Sequence, residues 1–232
     1  GIAEKDVYII NECGFAAIVH DCEEKPYPTE DTMQIKEMIL AHNRILNQAL
    51  KDFGGIIPLP FNTIIKNGTN SARYNLKKWL NEDQEKLEGI WNKVKGKREY
   101  GVRIYYEKEK LFQEAAEHQD VKTIEKSSEG KGIGLSYLMQ GKAKTKMQEI
   151  FQEKVNTLKQ EFYEEIKKIT AEAVINHSHI SLQEEKDILL KLSVLIPEKQ
   201  VDEIKEFLGK NEGDFPFHLA GPFAPYSFVE NG

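Results

Sequence analysis

Glu99-Tyr100-Gly101-Val102-Arg103-Ile104-Tyr105-Tyr106 decides the fold of the second half of the chain. Tyr100, Val102, Ile104 and Tyr106 fall on alternate positions, separated by Gly101, Arg103 and Tyr105. A period of two over this length is that of a β-strand. Downstream, Met139, Ala143, Met147, Ile150, Phe151, Val155, Leu158, Phe162, Ile166 and Ile169 form a continuous helical stripe, which predicts one long helix over residues 135–169. Ala173-Val174-Ile175 reads as a short strand, and the nearly all-apolar run 188–196 as a second one that Pro197 stops. Val201, Ile204, Phe207 and Leu208 mark the inner face of a helix over 198–210, and Phe215-Pro216-Phe217-His218-Leu219-Ala220 is the last strand. The order is strand, helix, strand, strand, helix, strand, which is the split βαβ or ferredoxin-like arrangement. Residues 107–131 are charged and read as a variable insertion, with a helix around 111–118 and a loose Ser127-Ser128-Glu129-Gly130 stretch.

The first half reads as a separate unit. Val7-Tyr8-Ile9-Ile10 and Phe15-Ala16-Ala17-Ile18-Val19 suggest a pair of strands, and Thr29 or Asp31 can cap the helix that follows Pro26 and Pro28. That helix carries Ile35, Met38, Ile39, His42, Ile45, Leu46, Ala49, Leu50 and Phe53 at three- and four-residue intervals and is closed by Gly54-Gly55. Residues 56–65 are apolar and extended, but Pro58 and Pro60 cannot donate to a ladder, so the segment is an edge strand or bent. A second helix, capped by Thr69 or Ser71, places Leu76, Trp79, Leu80, Leu87, Ile90, Trp91 and Val94 on one face. The fold class is therefore α+β with two domains, residues 1–97 and 98–232, the second a modified ferredoxin-like split βαβ with a long helix.

Composition narrows the functions. The 232 residues hold 32 Lys+Arg against 38 Asp+Glu, a net charge of −6, and only Arg44, Arg73, Arg98 and Arg103 are arginine. Lysine is a hydrated point charge poorly suited to bidentate reading of bases or phosphates, so nucleic acid is not expected as a partner. The longest charge-free stretches, 53–65 and 215–229, are broken by proline and cannot span a bilayer. No secretory signal is visible, and Cys13 and Cys22 fit no disulfide framework or zinc spacing, so the cytoplasm is the expected compartment.

No motif advertises catalysis. Gly130-Lys131-Gly132-Ile133-Gly134 resembles a phosphate loop, but no strand precedes it and no Lys-Ser or Lys-Thr closes it, so it reads as a helix leader. His177 and His179 share a face if extended, yet no further ligands accompany them. His42 sits on the apolar face of its helix and reads as a hydrogen-bonded core histidine. No cofactor or metal is expected. Two readings remain open for the C-terminal Gly221-Pro222-Phe223-Ala224-Pro225-Tyr226-Ser227-Phe228-Val229: a lock folded back on the core, or a sticky aromatic surface.

The residues of this segment carry a resemblance. Residues 219–228, Leu-Ala-Gly-Pro-Phe-Ala-Pro-Tyr-Ser-Phe, are similar to the signature of the gas vesicle protein L/F family, usually Thr-Gly-Pro-Trp-Pro-Pro-Tyr-Ser-Phe. Residues 56–63 resemble the family's Leu-Pro-Leu-x-Phe-Gly-Thr element, 99–105 its Glu-Trp-Gly-Val-Lys-Val-Tyr strand, and 134–138 the start of its long helix. Departures are Phe223 for Trp, Ala224 for Pro, Asn62 for Gly and Asn43 for Glu. The resemblance implies a non-enzymatic accessory protein of gas vesicle assembly, associated with the vesicle, that binds the shell protein and other accessory proteins. Gly221, Pro222, Phe223, Pro225, Tyr226 and Phe228 are then the candidate partner-binding residues. The alternatives are an RNA-binding module using strand aromatics, or a small-molecule enzyme with an unmarked pocket.

Overall fold

The computed structural model describes residues 5–27, 32–127, 130, 132–176 and 187–229. The chain divides into two compact units, one of Gly1–Glu99, Leu195–Glu198 and Gly221–Gly232, the other of Tyr100–Val194 and Lys199–Ala220. The sequence reading carries its second domain to residue 232. The structure instead groups the last segment with the first unit, because Ala224 packs there against Leu46 and Leu50.

In the first unit, strands β1 (Val7–Glu12) and β2 (Phe15–His20) pair antiparallel, with Glu12 opposite Phe15 and Val7 opposite His20. The two-residue loop between them has φ +47° at Cys13 and +78° at Gly14, the left-handed pair that matches the twist of a hairpin. Helix α1 (Thr32–Phe53) ends at Gly54, whose φ of +75° lets its N–H turn back to the Leu50 carbonyl at 3.1 Å. The predicted caps Thr29 and Asp31 lie outside the described residues. Residues 56–65 form no strand among the described residues; of the two expectations, the bent one holds. The bend is made at Asn62, φ +71°, whose Oδ1 accepts the Tyr27 N–H at 3.0 Å. Asparagine tolerates this conformation, which accounts for its standing where the resembled family has glycine.

The expected second helix is two, α2 (Ala72–Glu82) and α3 (Gln84–Val94), divided at Asp83. Ser71 caps α2 by accepting the Tyr74 N–H at 3.3 Å. Leu76, Leu80 and Leu87 bury against Ile10, with Phe15, Ala17 and Val19 of β2 partly covered beside them.

The second unit is built on a four-stranded sheet in the order β4-β5-β3-β6, from β3 (Arg98–Tyr106), β4 (Ala173–Ile175), β5 (Asp187–Ile196) and β6 (Phe217–Phe223). The first and third of these in chain order lie centrally, as a split βαβ requires. β4 and β5 run antiparallel, with Ala173 opposite Val194. Tyr100, Val102 and Ile104 are buried, and so are Leu189, Leu190, Leu192, Val194, Leu195 and Ile196, the continuous burial of a strand covered on both faces. Helix α6 (Ile133–Ile169) buries Ala143, Ile150, Val155, Phe162 and Ile166, and the Phe162 ring meets Phe207 and Phe215 edge-on at 6.0 and 5.1 Å. Phe207 belongs to α7 (Val201–Lys210).

The expected insertion holds more helix than the one expected around 111–118, and Ser128 and Glu129 of the expected loose stretch lie outside the described residues. It holds α4 (Lys108–Ala116) and α5 (Gln119–Lys126), whose Ala115 and Val121 pack with Ala143 and Ile150 of α6. Leu111, Ala115 and Val121 are enough in a charged run, because a short helix needs only one covered stripe.

Candidate functional site

The signature residues divide by environment. β6 ends at Phe223, where Gly221, Pro222 and Phe223 are exposed and the Gly221–Pro222 peptide is cis. Ala224 and Pro225 are buried, and a 3₁₀ turn over Tyr226–Phe228 inserts Phe228, which is 3% exposed. The expected lock thus describes residues 224–228, and the expected aromatic surface is reduced to Phe223 at 48% exposure. The structure does not gather the six candidates into one surface.

Polar contacts to Glu99, Lys93 and His42 hold the tail. Glu99, 7% exposed, accepts the Ser227 N–H at 2.9 Å with Oε2 and the Ser227 hydroxyl at 2.6 Å with Oε1. Lys93 Nζ donates to the Phe228 carbonyl at 3.3 Å and lies 5.6 Å from the centre of its ring. Tyr226 Oη is 2.8 Å from His42 Nε2. His42 is therefore the hydrogen-bonded histidine expected, and burial holds its imidazole below the ordinary value, with nearby His20 adding to the shift and the Leu59 backbone opposing it. Next to Glu99, Arg98 donates to the Leu50 and Gly54 carbonyls at 3.0 and 3.2 Å, satisfying the end of α1.

Sequence reasoning missed an open cleft of about 1040 Å³ within the first unit. It is bordered by β2, by residues 59–65 and by the apolar faces of α1, α2 and α3. A row of rings edges it: His20 stacks on Tyr27, Tyr27 on Phe61, and Phe61 meets His42 edge-on, with centroids 5.8–6.1 Å apart. Several of its polar groups are already engaged. Glu24 accepts two bonds from Asn67, Asn62 accepts one from Tyr27, and Asp21 accepts the Tyr8 hydroxyl. Asp21 raises the Tyr8 pKa through that bond, while burial, with Asp21 second, pushes the Cys22 thiol up. The signal available was the pair of apolar, unalternating runs 15–19 and 56–65, too apolar for exposed edges yet too short to cover each other.

The remaining candidates stay apart. Gly132 precedes α6 and Ile133 is 94% exposed. His177 and His179 lie outside the described residues, among which no cluster of three or more His, Cys, Asp or Glu could hold a metal. Tyr100 is buried, so it offers no stacking face to a base. No helix among the described residues is long and apolar enough to cross a membrane.

The architecture is that of solved gas vesicle proteins. The crystal structure of the gas vesicle protein GvpF from an Anabaena species superposes with a TM-score of 0.75 at 19% identity, covering 100% of this chain and 91% of that one. GvpF from Microcystis aeruginosa gives 0.70 at 16% identity, covering 99% and 91%. In sequence, gas vesicle protein L of Haloferax mediterranei is 27% identical over 99% of this chain and 72% of its own length, and gas vesicle protein L1 of Halobacterium salinarum is 24% identical over 99% and 83%. The model of the family described as "Gas vesicle synthesis protein GvpL/GvpF" matches residues 1–230. The chain belongs to that family, whose members are accessory proteins in gas vesicle formation.

Proposed function

We propose that this chain is a non-enzymatic assembly factor, located in the cytoplasm and at the vesicle, that binds the gas vesicle shell protein and other accessory proteins and keeps shell subunits soluble or helps them nucleate. The observation that carries this reading is the start of α6. Its first two turns expose Ile133 (94%), Tyr137 (77%) and Leu138 (62%), with Leu135 beside them. An apolar group of this kind at the end of a helix is a cost in water unless a partner covers it. The charged remainder of the surface suits a protein that must stay in solution while holding an apolar client.

Co-expression with the shell protein tests it. Soluble shell protein is expected to rise and to co-purify with this chain, and Tyr137→Glu with Leu138→Glu is expected to reduce co-purification without moving the melting temperature. No complex and no gain in soluble shell protein would remove the reading.

A further inference from the structure

Among the described residues the hairpin has an unpaired edge. Its two-residue loop makes Glu12 and Phe15 the pair that exchange hydrogen bonds, and alternation then turns the backbones of Ala17 and Val19 toward β1. The N–H and C=O groups of Ala16, Ile18 and His20 point the other way, and the sheet has no third strand among the described residues. Apolar as the hairpin is, Ile10 is its one fully buried residue. A lone two-stranded hairpin is marginal in water.

The cleft lies along that edge. A cavity over one face of a strand meets every second residue. This one is lined by every residue from 13 to 22, and of β1 by Val7, Tyr8 and Ile10 alone. A second unbroken run, residues 59–65, also lines it. The cleft is thus bounded by the extended backbone of β2 and by the bent run 59–65, and floored by Leu76, Leu80 and Leu87. A lipid or a helix would leave the outward backbone groups of β2 unsatisfied, whereas an extended chain pairs with them.

We infer that the cleft receives one extended, apolar segment of a shell subunit, which adds to the edge of β2 as a third strand. The six residues of β2 set its length at about six residues, or about 20 Å. The identity of the donor rests on the function proposed above; the demand for a strand rests on the edge and the cleft.

Amide hydrogen exchange, measured on the free protein and on its complex with co-expressed shell protein, tests the inference. In the free protein the amides of Ala16, Ile18 and His20 are expected to exchange at least about tenfold faster than those of Ala17 and Val19, and to slow by at least about tenfold in the complex. Ile18→Pro removes one outward N–H and leaves the β1 ladder intact, so it is expected to weaken shell binding about tenfold or more. Outward amides already protected in the free protein would mean that the chain itself or a second copy fills the cleft, and would overturn the inference. Shell binding with these amides still unprotected would overturn it while leaving the proposed function standing. No shell binding at all would overturn both.

Discussion

Ser227 occupies both carboxylate oxygens of Glu99 across 128 positions of sequence, one through its backbone N–H and the other through its hydroxyl. A buried carboxylate is tolerated when such donors satisfy it. Ser227→Ala removes the shorter bond, so a loss of about 1–3 kcal/mol is expected in urea unfolding. Glu99→Leu is expected to cost less than Glu99→Ala, because both remove the two bonds to Ser227 but only the alanine opens a void.

Stability is expected to fall on mild acidification. His42 has a folded pKa below its ordinary 6.5, so folding favours the neutral ring. Its contribution is complete above about 6.5 and is lost as pH falls through that value toward the folded pKa. Melting temperatures recorded from about pH 8 to pH 5 should decline at the acid end, and His42→Gln should flatten the decline.

Gly55 has no room for a methyl group. A Cβ there would stand 2.9 Å from two ring carbons of Trp91 and 3.3 Å from the Lys95 Cα. Gly55→Ala is expected to destabilise by about 1–3 kcal/mol, and by less in a Trp91→Leu background, a coupling that a double-mutant cycle in urea would read.

Cys13 holds a left-handed backbone that asparagine adopts at lower cost, as it already does at position 62. Cys13→Asn is expected to gain about 1 kcal/mol, less whatever the 2.6 Å contact of its thiol with Asn81 contributes. Thermal unfolding under reducing conditions is the measurement.

The elements that were legible in sequence carry strong periodicity. Residues 99–106 alternate cleanly because one face of β3 is buried, and α6 keeps one stripe from Met139 to Ile169. Other features escaped for physical reasons. The apolar spacing of α2 and α3 continues across Asp83, so a one-residue break left no gap in the pattern. α4 buries two residues and α5 one, in charged surroundings. β6 runs through Pro222 to Phe223, where proline reads as an end. The lock at 224–228 was one of two open readings, since nothing local shows that Glu99 and His42 wait for Ser227 and Tyr226. The cleft was not legible at all: its walls come from several separate segments, and emptiness leaves no residue pattern.

The unit that begins the chain is also the one that finishes it. Arg98 and Glu99 stand side by side, the first tied back to α1 and the second forward to Ser227. On a ribosome adding about 5–20 residues per second, the first unit waits roughly 6–25 s after residue 99 for its last segment to be made. Until then the apolar seat of Ala224 and Phe228 stands open, so the newly made N-terminal half is itself a client for chaperones.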